Sequence, residues 1–147
     1  MTSWRDTASA IAQDDLDNLL NAVLPFAERQ LGKHGEFFPF GSTVTVDGQV
    51  ALLAADPRGG DRPESQLVLD ALYQAARSTV DDIRAVAFVA DVRMGGGGDA
   101  VRVELEYKEG PALIVLLPYS QTRKGLKKTI TFHPMTVSAG QQRVWPD

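Results

Sequence analysis

Lys33-His34-Gly35-Glu36-Phe37-Phe38-Pro39-Phe40-Gly41 holds three of the chain's six phenylalanines, together with a proline, two glycines, a histidine and a carboxylate. Three phenyl rings are costly to leave in water. The segment is therefore expected to fold back as a hydrophobic plug between the helix before it and the hairpin after it, with His34 and Glu36 at its polar edge. In an extended segment adjacent side chains point to opposite sides. Phe37 and Phe38 then cannot both face inward, and the phenylalanines, Phe26 included, either fill the core or rim an apolar pocket.

The elements on either side follow from periodicity. Leu16, Leu19, Leu20, Val23, Leu24, Ala27 and Leu31 recur at steps of three and four, the stripe of an amphipathic helix. Asp14 or Asp15 is the expected N-cap and Gly32 or Gly35 the expected end. The stripe keeps its phase across Pro25, which predicts one kinked helix. Asp47-Gly48 between the β-prone runs 43–46 and 49–55 is a hairpin signal. Asp56 to Pro63 is turn chemistry, with Pro63 as the first residue of a second helix over 64–79. Its stripe is Leu67, Val68, Ala71, Leu72, Ala75 and Ala76.

Residues 83–92 are nearly all apolar and read as a central strand covered on both faces. Gly95 to Gly98 form a turn. Val101, Val103, Leu105 and Tyr107 alternate with Arg102, Glu104, Glu106 and Lys108, which predicts a strand with one face in water. Residues 112–117 read as a third, mostly buried strand, followed by a basic loop, a short strand over 129–133 and an irregular end anchored by Val144 and Trp145. The order α-β-β-α-β-β-β describes an α+β domain with a mostly antiparallel sheet and the helices packed on one face. This order resembles that of roadblock and profilin-like domains.

At 147 residues the natural expectation is one domain over 1–147, with a loosely ordered start over 1–13 and a basic, partly irregular segment over 119–147. Zero cysteines exclude disulfides, thiolate zinc sites and cysteine nucleophiles. Residues 1–20 lack an export signal, and no apolar run approaches the ~20 residues that span a bilayer. The expectation is a cytoplasmic protein without membrane contact.

Charge is divided unevenly. Residues 1–118 carry 10 Lys and Arg against 18 Asp and Glu, a balance of −8, whereas 119–147 carry 5 against 1, a balance of +4. The basic end lies on the acidic body, docks an acidic partner or touches a phosphate backbone. Tyr119, Arg123, Lys124, Lys127 and Lys128 are the candidate partner-binding residues. Tyr119 and Phe132 could stack on bases beside them, but an overall pI of about 5.1 argues against nucleic acid.

Motifs for chemistry are sparse. His34 and Glu36 begin an H-x-E, but the cysteines of a zinc deaminase are absent, and there is no H-E-x-x-H. A metal site would have to recruit both His34 and His133 with Glu36 or an Asp, and nothing in the spacing demands one. The alternative for His34 is a hydrogen-bonding histidine at a helix end, where a cation is favoured. The four glycines join two strands rather than opening a helix, so they are no phosphate loop. None of Ser42, Ser65, Ser78, Ser120 and Ser138 sits in a nucleophile elbow. Asp47, Asp56, Asp61 and Asp91 lie mostly in turns or at strand ends. No cofactor, metal or catalytic residue is implied.

Leu24-Pro25-Phe26-Ala27 followed by Gly32-Lys33-His34-Gly35-Glu36-Phe37-Phe38-Pro39-Phe40-Gly41 resembles the motif of a family of uncharacterised bacterial proteins. Its members share the Asp-Gly hairpin, a strand like 86–93, a charged alternating strand and an ending like Leu117-Pro118-Tyr119. The resemblance spans about residues 16–120 and implies one small standalone domain. It carries no activity and no catalytic residue.

The leading expectation is a non-catalytic binding or regulatory domain that acts through protein contacts and self-associates. The rival is an enzyme or small-ligand protein whose pocket under the plug uses His34, Glu36, Phe38 and Phe40. A third reading is nucleic-acid binding through 123–128.

Overall fold

The computed structural model describes residues 3–53 and 64–146. The turn run 56–63, the helix-starting Pro63 and the carboxylates Asp56 and Asp61 lie outside the described residues.

The start of the chain is more regular than its polar composition suggested. A short helix, α1 (Trp4–Thr7), is held by a capping box between Ser3 and Asp6. Trp4 packs on the core, and Arg5 pairs with Asp17 at 2.8 Å. The long helix α2 (Ala10–His34) is capped by Ser9, which accepts from the Ala12 N–H at 3.1 Å. Neither Asp14 nor Asp15 caps it. Alanines upstream extend the helix past them, and Asp15 is buried against Arg84, which donates two hydrogen bonds of 2.7 and 3.0 Å. The helix runs through Pro25, which lies on its exposed side, so the Asn21 carbonyl it leaves without a donor is open to solvent. Gly35 ends it at φ 76°, in the left-handed region where glycine has no Cβ penalty.

Seven strands among the described residues form one antiparallel sheet. They are β1 (Phe40–Thr45), β2 (Val50–Leu53), β3 (Ile83–Arg93), β4 (Asp99–Tyr107), β5 (Ala112–Lys124), β6 (Lys127–Phe132) and β7 (Thr136–Ala139). The order is β2-β1-β3-β4-β5-β6, with β7 also paired to β5. The helix α3 (Ser65–Ser78) and a 3₁₀ turn (Val80–Asp82) lead into β3. The Asp47-Gly48 and glycine-rich hairpins fall where the sequence placed them. By contrast β5 continues to Lys124, so the basic stretch is strand rather than loop. Thr136–Ala139, expected to be irregular, pairs with Leu113–Leu116.

The helices lie on opposite faces of the sheet, not on one. Leu16, Leu19, Val23, Ala27 and Leu31 of α2 pack against Ala85, Ala87 and Val89 of β3 and Val101, Val103 and Leu105 of β4. Val68, Leu69, Leu72, Tyr73 and Ala76 of α3 pack against Val86, Phe88 and Ala90. Successive residues of β3 thus serve two cores, which is why that strand reads as a continuous apolar run. On α3 the burial stripe is rotated from the expected one, and Leu67 is exposed.

The polar face of β4 is covered at Glu104 and Glu106. Glu104 and Glu106 are 8% and 3% exposed. The α3 helix covers β1 to β3, and the C-terminal segment covers β4. Glu106 accepts from the backbone N–H groups of Arg143 (2.8 Å), Val144 (3.0 Å) and Trp145 (2.8 Å). Glu104 accepts from the Tyr73 hydroxyl at 2.5 Å and from Arg143 at 2.8 Å, with Arg102 3.1 Å away. Every buried charge here has a partner, as burial requires.

Candidate functional site

At one end of the sheet, where α2 stops and β3 runs out, the described residues enclose a cleft of about 890 Å³. Phe26, Gln30 and His34 project from α2, Glu36, Phe37 and Phe38 from the connection, Phe40 from β1, Ser65 from α3 and Asp91 from β3. The pairing of Phe40 with Val89 sets the connection against the end of β3. That register brings Asp91 beside residues more than fifty positions earlier.

The aromatic plug divides its rings between core and rim. Phe40 meets Phe26 edge-on at 4.8 Å and Phe37 at 5.7 Å, separations that favour edge-to-face pairs. Phe37 and Phe40 are partly buried against the α2 core and Pro39 is buried, whereas Phe38 is 50% exposed. The opposite facing of Phe37 and Phe38 is what an extended backbone imposes. His34 and Glu36 are exposed at the rim.

Asp91 is half-buried at the base of the cleft and accepts from the Tyr119 hydroxyl at 2.5 Å. Burial pushes the Asp91 carboxyl above its ordinary range, and the charges of Asp99 and Glu36 push the same way. The Tyr119 O–H and the Phe37 N–H act against them. Among the described residues no ion pair offsets Glu36, Asp91 or Asp99. The cleft therefore combines exposed phenyl edges with uncompensated negative charge.

Of the residues singled out in the sequence, His34, Glu36, Phe38 and Phe40 do line one cleft. Asp91 belongs with them. The sequence reading did not select it, although a carboxylate interrupting the apolar run 83–92 was the signal available. No group of three or more His, Asp or Glu among the described residues is disposed to hold a metal ion.

The basic candidates separate. Tyr119 is 4% exposed beneath the cleft, and its ring lies 6.3 Å from that of Phe132. It is buried rather than surface-exposed and supports the cleft floor through Asp91. Arg123, Lys124, Lys127 and Lys128 lie on a hairpin that projects past the end of β4, whose pairing stops at Asp99 opposite Tyr119. Arg143 is elsewhere, over β4. At the base of this arm the Gln121 amide donates to the Gly35 carbonyl at 2.9 Å, and Lys128, paired across the strands with Arg123 near the tip, packs against Gly35. These contacts supply a donor and a cation to the negative end of α2. Ser120 and His133 share a 2.8 Å hydrogen bond on the exposed base of the arm, and among the described residues no carboxylate orients that histidine.

No helix among the described residues is long and apolar enough to cross a membrane. No family model, curated protein or solved structure matches the chain.

Proposed function

We propose that this chain is a non-catalytic binding domain that holds a segment of a protein partner in the cleft at the end of α2. The observation that supports this most is the pairing of exposed aromatic surface with uncompensated carboxylates in one concave site. Phe26, Phe38 and Phe40 present apolar and π surface, while Glu36 and Asp91 sit within the same walls. An apolar side chain flanked by a lysine or arginine satisfies both, through burial and through charge and cation–π attraction. Clefts of this size fall in the range of small-molecule sites as well. The wide exposure of Phe38 and the rim position of His34 and Glu36 favour an extended chain lying across the opening.

The test is selection from a random peptide library, followed by backbone amide shift mapping on the labelled protein. Enriched peptides carry an apolar residue next to a cation and shift residues 34–40 and 91. Phe38→Ala and Glu36→Lys each weaken binding, by about tenfold or more for the charge reversal. Peptides without that pairing, or shifts centred away from the cleft, overturn the reading.

A further inference from the structure

The arm and the cleft carry opposite and individually unfavourable charge. In the register of β5 with β6, Arg123 stands opposite Lys128 and Lys124 opposite Lys127. Like charges directly opposed across a strand pair destabilise it. No ion pair among the described residues relieves any of the four, and Lys128 leans on the negative end of α2 at Gly35. At the tip between them Leu126 is fully exposed. The tip is thus an apolar side chain framed by cations, the chemistry that suits an aromatic, acidic cleft.

The tip does not enter the cleft of its own chain, since Leu126 is fully exposed. Gln121 fixes the arm's base to Gly35, and Tyr119 fixes it to Asp91. From Tyr119 the strand continues unbroken to Lys124, carrying the tip about 17 Å outward at ~3.4 Å per residue. A second molecule can supply what the first does not. Because arm and cleft lie side by side at one end, a two-fold axis between two copies lets each arm enter the other's cleft. Such a contact is isologous and closes at two.

We propose that this protein forms a two-fold dimer in which Leu126 and its flanking lysines from each copy occupy the cleft lined by Glu36, Phe38 and Asp91 of the other. The inference rests on the binding reading of that cleft and names a second copy as its occupant. The division between the acidic residues 1–118 and the basic residues 119–147 adds long-range attraction between the copies.

Sedimentation velocity on the full chain tests it. The wild type sediments as a dimer near 0.1 M salt and shifts toward monomer near 1 M, as the screening length falls from ~10 to ~3 Å. Lys127→Glu and Glu36→Lys each yield monomers with unchanged circular dichroism. An equimolar mixture of the two variants yields dimers, because one of the two reciprocal contacts then joins an unaltered arm to an unaltered cleft. A wild type that is monomeric at every salt concentration overturns the inference, as does a Lys127→Glu dimer or a mixture that stays monomeric. So does a monomer that instead binds phosphatidylserine vesicles or an oligonucleotide through these cations. A monomer that still takes library peptides in the cleft removes the dimer and leaves the binding reading standing.

Discussion

Glu106 shows how one side chain can hold a segment that has little secondary structure of its own. Its two oxygens take three consecutive N–H groups from residues 143–145, and hydrogen bonds to a charged acceptor are the strong kind. In Glu106→Gln one oxygen becomes an amide that faces donors with a donor. A buried, unmatched donor costs ~1–3 kcal/mol, so the variant is expected to lose about 2–4 kcal/mol of stability. Urea unfolding at neutral pH checks the figure, and faster proteolytic trimming near Trp145 would accompany it. A loss below about 0.5 kcal/mol would show that the segment is held by Val144 and Trp145 packing instead. Nothing in the sequence separated this glutamate from a solvated one. Period two in β4 is the same whether the polar face meets water or a strap of unpaired amides, and the strap comes from residues far along the chain.

At the scale of elements, the most legible features were those decided by neighbours in sequence. The Asp47-Gly48 turn, the body of α2 and the extended Phe37–Phe38 pair all follow from local chemistry. The features that escaped depend on distant pairing. Asp91 reaches the cleft because Phe40 pairs with Val89, and β7 exists because β5 has a free edge at Leu113–Leu116. The placement of α2 and α3 on opposite faces belongs to the same class, since both stripes are compatible with either face. Pro25 illustrates a local cost that tertiary packing overrides. The helix continues through it because the apolar stripe on both sides is buried. Pro25→Ala restores one hydrogen bond and is expected to raise stability by about 1–3 kcal/mol. Thermal and urea unfolding test this, and an unchanged or lowered midpoint would mean that Pro25 itself is needed to seat Phe26 against Phe40.

For the whole molecule, protonation ties the two faces together. Burial pushes the Tyr73 hydroxyl well above its ordinary range, with Glu104 adding to it, and burial with Asp91 does the same to Tyr119. The folded state therefore keeps protons that the unfolded chain releases near pH ~10. The stabilisation is complete below that pH and is lost as pH rises toward the folded values, because the unfolded state then binds fewer protons. The denaturation midpoint is expected to fall steadily above pH ~10, and Tyr73→Phe should flatten the fall. A midpoint that holds level through pH ~11 would count against both buried pairs.

One consequence of the doubly covered β3 concerns errors in assembly. Its α2 side shows Ala85, Ala87 and Val89, and its α3 side shows Val86, Phe88 and Ala90. A one-residue slip would exchange these rows. Phe88 would then be driven into a layer sized for methyl groups, while alanines would leave holes beneath α3. The strand thus proofreads its own alignment by volume, since only one register fills both layers.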